Sequence, residues 1–393
     1  MQFSHQIHLA YCTNIHRGDD WAETFAGLKD YTMQVRRRVC PAEVPYAIGL
    51  RLSALAAQQL SEPDVLQNFR EWLSQENCYV FTINGFPYGS FHNTRVKEQV
   101  YAPDWQSQER LDYTKQLFDI LVQLLPPGVS GSVSTVPGSF KAFITDERQI
   151  EAMQRNLIEC AEYIAALSET HGCDLHLGLE PEPFGYLETT AETIEFFDQL
   201  YAKASNVGVL QKHLGVNYDT CHMAIQYEVS AESIRALRRH GIRISKLHLS
   251  SALKVQPTSA VRKRLEAFVD PVYLHQVIAR SSDGSQRAWV DLDTALYESN
   301  DDVDLDEEWR IHFHVPLHTQ PAQGMDTTVD HLLGVVDVLQ EDPSLCTHLE
   351  FETYTWEVLP EAMKAPNVVE QLIAEYAWCE RALGERGIAL AKS

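Results

Sequence analysis

With 393 residues and 45% apolar side chains, the chain can bury a sizeable core, in one large domain or in two or three ordinary ones. Its formal net charge of −23 argues against a surface built for nucleic acid or an anionic membrane, because phosphates would be repelled. Eight cysteines are scattered without a Cys-x-x-Cys pair, which fits reduced thiols in the cytoplasm better than a disulfide frame or a zinc ribbon.

The opening residues show no basic region followed by an apolar core, so no secretory signal is expected. No run of about 20 apolar residues is present to span a membrane. Ile7 to Asn14 reads as a first strand, and Asp20 as the cap of a helix from Trp21 to Val39, with Pro41 beyond it. Tyr46 to Leu52 is a second strand, followed by helical periodicity from Ala54 to about Leu73. Cys78 to Ile83 is a β-branched and aromatic third strand that breaks at the turn-rich segment Asn84 to Gly89. A helix follows from about Gln108 to Leu125, then a small-residue fourth strand, Gly131 to Val136.

Asp146 starts a long helix that Gly172 stops near Thr170. Leu175 to Pro183 then alternates like a strand, with Leu175, Leu177 and Leu179 on one side and His176, Gly178 and Glu180 on the other. Its helix is Thr190 to Ala204. Leu214 to Asp219 is the sixth strand, with a helix from about Ala231 to His240, and Ile244 to Leu249 is the seventh. An irregular segment, residues 250–324, holds a possible helix (Val261 to Phe268), a hairpin-like piece around Trp289 and Ile311, and an acidic run at 301–308 that reads as a solvated loop. Thr328 to Leu339 is helical, Leu345 to Glu352 is the eighth strand, and Val368 to Leu383 is the last helix.

Eight strand–helix alternations with no Pro/Ser/Gly-rich linker predict an α/β fold, a (β/α)8 TIM barrel forming one elaborated domain over 1–393, with an insertion after strand seven. Four of its strand ends carry metal-type ligands. Strand five gives Glu180, strand six Asp219, strand seven His248, and strand eight Glu350 and Glu352. Side chains at the C-terminal rim of a barrel converge on one volume, and carboxylates with an imidazole suit Mn²⁺, Mg²⁺, Co²⁺ or Zn²⁺. Taken alone, Asp219 before Thr220 also reads as a helix cap, and His248 as a hydrogen-bonded core histidine. Glu350 and Glu352 share inward parity, and Glu352 is preferred because it is nearer the strand's end.

The order Glu, Asp-x-x-His, His, Glu on strands five to eight resembles the xylose-isomerase-like barrel superfamily of sugar isomerases, epimerases and endonuclease IV relatives. That resemblance implies metal binding by Glu180, Asp219, His248 and Glu352, and sugar contacts from His222 and Lys254, where lysine stands in place of the commoner arginine. Longer strings are similar to the metabolite traffic protein EboE family. They are Tyr11 to His16, Phe81 to Gly89, residues 94–101, His312-Phe-His-Val-Pro316 and Glu352-Thr-Tyr-Thr-Trp356. This second resemblance implies a place in the export of secondary-metabolite precursors, with other Ebo proteins at the membrane as partners.

Two clusters complete the reading. His312 and His314 have the period-two spacing of one strand face and can reach the rim as extra ligands or proton carriers, with His318 nearby. Tyr11, Phe86, Tyr88, Tyr354 and Trp356 stand at or past strand ends, where aromatics can wall a pocket. The expected function is a metal-dependent, isomerase- or epimerase-like barrel acting on a small sugar-like or metabolite substrate. Glu180 and Glu352 would remove and return a proton beside a carbonyl. Two alternatives stand beside it. One is a carrier that holds a secondary metabolite for hand-off; the other, a nucleic-acid repair enzyme, is disfavoured by the charge.

Overall fold

The computed structural model describes residues 1–90, 97–299, 306–321 and 324–391. The first seven strands are β1 (His8–Tyr11), β2 (Tyr46–Arg51), β3 (Cys78–Asn84), β4 (Gly131–Thr135), β5 (Leu175–Leu179), β6 (Leu214–Asp219) and β7 (Arg243–Leu249). Five short strands follow: β8 (Leu253–Val255), β9 (Val277–Arg280), β10 (Gln286–Trp289), β11 (Glu308–Ile311) and β12 (Met325–Thr327). The chain then returns as β13 (His348–Phe351). The large sheet runs β1-β13-β7-β6-β5-β4-β3-β2, every pair parallel, and a parallel bridge between Cys12 and Gly49 draws its two edges together. With helices between the strands this is an eight-stranded, nearly closed (β/α)8 barrel, elaborated after strand seven, as expected.

Local chemistry sets the helix ends. The helix Glu147–His171 starts at a capping box of Asp146 and Gln149 and stops at Gly172, whose φ of 65° suits a residue without a Cβ. The continuous helix expected from Ala54 to Leu73 is two, Ala54–Leu60 and Pro63–Gln75, because Pro63 lacks an N–H and starts a new first turn. The helix from Trp21 to Val39 carries a π-type segment at Leu28–Thr32. Short helices at Val207–His213 and Thr220–Ile225 were not anticipated.

The inserted segment folds as a five-stranded sheet, β10-β9-β11-β8-β12, with antiparallel pairs throughout. It buries its own apolar cluster, including Leu253, Val277, Trp309 and Phe313, and Trp356 packs against both this cluster and the barrel's core. Most of the acidic run, residues 301–305, lies outside the described residues. Glu307 is 2% exposed and pairs with Arg287 at 2.7 Å. Among the described residues no helix is long and apolar enough to cross a membrane.

Candidate metal centre

Strand register does most of the positioning. Asp219 on β6 lies opposite His248 on β7, and His248 lies opposite Glu350 on β13. Glu180 follows β5, its N–H bonded to the Thr135 carbonyl at 3.0 Å, and Glu352 follows β13, bonded to the Leu249 carbonyl at 3.3 Å. One ligand atom each from Glu180, Asp219, His248 and Glu352 falls within 4.8 Å of the others, and all four residues are buried.

The remaining hydrogen bonds show which atoms are free to bind. His248 Nε2 is 2.7 Å from Glu350 Oε2, and the Lys246 ammonium donates to that same oxygen at 2.7 Å. Its Nδ1 faces Glu180 Oε1 at 3.1 Å, Glu352 Oε2 at 3.5 Å and Asp219 Oδ2 at 3.6 Å. An ionised carboxylate can only accept, so Glu350 fixes a proton on Nε2, while the carboxylates around Nδ1 favour a second proton there, one that a metal bound through Nδ1 would displace. Asp219 Oδ1 accepts from the N–H groups of Cys221 (2.7 Å) and His222 (3.0 Å) and from the Ser250 hydroxyl (2.6 Å), whereas buried Oδ2 has no partner. The helix cap thus uses one oxygen of Asp219 and leaves the other free to bind a metal. Glu352 takes the amides of Asn14 (2.7 Å) and Asn84 (3.2 Å) on Oε1, leaving Oε2 turned to His248. Asn217 donates to Glu180 Oε2 at 2.8 Å.

Electrostatics fit this division. Burial alone would raise the Glu350 carboxyl, but Lys246 and His248 outweigh it and hold the group down at about 2. Burial, with repulsion from Glu180 and Asp219, pushes Glu352 up to about 7 against the pull of His248 and His314. Burial also opposes the charge on Asp219, yet the surrounding His222, His248 and His314 hold it well below the usual carboxylate range. Three carboxylates gathered around one imidazole nitrogen, with an unpartnered buried oxygen, are short of positive charge. The donor set fits a divalent ion and is positioned to chelate one.

A pocket of about 70 Å³ opens above this centre, lined by Glu180, Glu182, His222, His312 and Glu352 together with Phe86, Val100, Tyr273, Leu274 and Tyr354. Residues 48–272, more than half of the chain, match the family described as xylose isomerase-like TIM barrel. The chain belongs to this family. Solved structures carry the same fold at low identity. A xylose isomerase-like TIM barrel protein from Mycobacterium smegmatis, in complex with magnesium, has a TM-score of 0.52 at 12% identity and covers 97% of each chain. A D-tagatose 3-epimerase-like protein has a TM-score of 0.50 at 10% identity, covering 97% of this chain and 98% of that one. No curated protein sequence matches the chain.

In this xylose isomerase-like barrel the six residues expected at the site do not all meet. Glu180, Asp219, His248 and Glu352 come together, and His222 lies beside them on the pocket wall. Lys254 does not join them. It sits on β8, and its ammonium is 3.5 Å from Asp326 and Asp330. His312 and His314 reach the site, whereas His318 is exposed. Of the five aromatics, Phe86 and Tyr354 line the pocket. Tyr11 instead buries its hydroxyl against His16 (2.9 Å) and Thr32 (2.6 Å). Sequence reasoning missed Asn14, Asn84 and Asn217, which orient the carboxylates, and Lys246, which holds Glu350. The available signal was parity: Asn217 and Lys246 stand two residues before Asp219 and His248, on the same inward face.

Proposed function

We propose that this chain is a divalent-metal-dependent barrel of isomerase or epimerase type that moves a proton on a hydroxy-carbonyl substrate during processing or traffic of a secondary metabolite. The observation that carries this reading is the convergence of Glu180, Asp219, His248 and Glu352 at the C-terminal rim, with His248 oriented by Glu350. A divalent ion held by these four would polarise a carbonyl and its neighbouring hydroxyl and acidify the C–H bond between them. Glu180 and Glu352 both border the pocket, which supports assigning them to take and return that proton. The asparagine amides on each fix the carboxylate planes.

The strings that resemble the EboE family support the metabolic setting and a hand-off to other Ebo proteins at the membrane; residues 94–96 of one string lie outside the described residues. Eight free cysteines, seven of them buried, support a reducing cytoplasm. Trp356, shared by both apolar clusters, supports treating the barrel and inserted sheet as one folding unit. The apolar outer wall of the pocket favours a second reading, a carrier that holds an aromatic or terpenoid metabolite without turning it over.

Solvent-deuterium exchange into a trial ketose separates the two. The isomerase reading expects metal-dependent exchange by the native chain and none by Glu180→Gln. Full exchange in the variant refutes the proton role. A co-purifying metabolite in native mass spectrometry, with no exchange at all, favours the carrier.

A further inference from the structure

We propose that a second divalent cation binds beside the first, held by Glu182, His222 and His312. One ligand atom from each of these residues lies within 4.8 Å of the others, and all three are buried. The site adjoins the four-residue centre without using its metal-facing atoms.

The hydrogen bonds around the imidazoles fix their protons. Gln276 donates from its amide nitrogen to the Pro183 carbonyl at 3.1 Å, so its oxygen faces His312 Nδ1 at 2.7 Å. His312 therefore carries its proton on Nδ1 and presents a lone pair at Nε2. His314 Nδ1 is 3.0 Å from the backbone carbonyl of Glu352, which only accepts, so Nε2 of His314 is also a lone pair. These two Nε2 atoms lie 3.2 Å apart, and His222 Nε2 lies 3.0 Å from that of His312. With its proton on Nδ1, on the side of Glu180 Oε1 at 3.9 Å, neutral His222 turns an Nε2 lone pair toward that of His312, and Glu182 Oε1 is buried without a partner. Facing lone pairs and an orphaned carboxylate oxygen are what a cation resolves.

The spacing suits one. Two imidazole nitrogens, each about 2.0–2.1 Å from a common ion, stand about 2.9–3.4 Å apart at angles of 90–110°. Glu182 Oε2 is 3.8 Å from His222 Nε2, placing a carboxylate on the open side of the pair. Cys221 forms another donor group with His312 and His314, but only the group with Glu182 faces the pocket through which an ion would enter. Two imidazoles and a carboxylate favour Zn²⁺ or Co²⁺ over Mg²⁺.

Position also ranks the two sites. Glu182, His222 and His312 all line the pocket, whereas Asp219 and His248 lie beneath it. The second cation is thus the more exchangeable one and faces whatever the pocket holds. His222 then acts on substrate through the ion, not as the direct sugar contact expected from the resemblance.

Cobalt titration of chelator-stripped protein, read by elemental analysis after dialysis and by visible absorbance, tests this. The native chain should take two equivalents, the second at least about tenfold more weakly than the first. Glu182→Gln and His312→Gln should each keep one equivalent and lose the absorbance step of the second, while Asp219→Asn loses the tight one. Using two single variants guards against one failing to fold. One equivalent in the native chain, or two retained in either pocket variant, overturns the second site alone. No bound cobalt in the native chain overturns the four-residue centre as well.

Discussion

Replacing Lys246 by methionine separates what holds the barrel interior together from what holds the metal. Lys246 and Glu350 are 1% and 0% exposed, their charged atoms are 2.7 Å apart, and the lysine also donates to Ser134 at 2.9 Å. Removing one partner of such a pair leaves the other charge buried and uncompensated, which costs about 3–5 kcal/mol. Glu350 has nowhere to move: its Oε1 has no partner, and a Cβ on Gly49 would already lie 1.9 Å from it. Lys246→Met should therefore lower the guanidinium-unfolding stability of metal-free protein by about 3–5 kcal/mol. The double variant Lys246→Met, Glu350→Leu substitutes an apolar pair and should recover most of that loss. Metal binding should behave in the opposite way. The single variant keeps the carboxylate that orients His248, and its affinity in a competitive titration stays near native. The double variant leaves His248 Nε2 without an acceptor and weakens binding about 10- to 100-fold. Native metal affinity in the double variant would refute the orienting role of Glu350, and unchanged stability in the single variant would refute the ion pair.

Glu375 offers a pH signature away from the centre. Burial pushes it up from 4.5 to about 7, against hydrogen bonds from the Thr353 hydroxyl and the Leu317 N–H. The folded value lies above the unfolded one, so this contribution to stability is complete below pH 4.5 and lost as pH rises through about 7. It amounts to about 3 kcal/mol, and Glu375→Gln should flatten the fall in urea midpoint across that window; an unchanged slope would count against it. At Asp219, asparagine and alanine divide the two roles of the side chain. Both should abolish tight metal binding, but only alanine removes the Oδ1 acceptor of the Cys221 and His222 N–H groups. Metal-free Asp219→Ala should unfold about 1–2 kcal/mol more easily than Asp219→Asn; equal midpoints would refute the cap.

The barrel was legible because its strands keep apolar alternation and each ends at a turn residue or carboxylate, a pattern that survives without knowledge of the pairing. The inserted sheet was not. β8 and β12 are three residues each, too short for a period of two to show, and they exist because β11 and each other supply their hydrogen bonds. That pairing also decides Lys254. Its place shortly after His248 in sequence suggested a pocket contact, but β8 pairs with β12, which brings the side chain to Asp326 and Asp330. His312 and His314 follow the opposite course. Their spacing showed a shared face, and only the fold shows that the face turns toward Glu182 and His222.

The choice between Glu350 and Glu352 shows where local pattern stops. Both point inward, so parity cannot divide them, and nearness to the strand end was a weak guide. What divides them is charge supplied from another strand. Lys246 on β7 shares the inward face of His248 and meets Glu350, which the β7–β13 register sets opposite His248. Lys246 and His248 both engage Glu350 Oε2, and its Oε1 lies against Gly49, so neither oxygen is offered to the metal volume. Glu352 lies beyond the last paired residue, where neutral amides from Asn14 and Asn84 occupy one oxygen and the other faces His248 Nδ1 at 3.5 Å. An inward lysine two residues before an inward histidine is thus the sequence mark of the arrangement. It signals that one of two glutamates on a neighbouring strand is bound to the protein, and that the other is the one free to meet a metal.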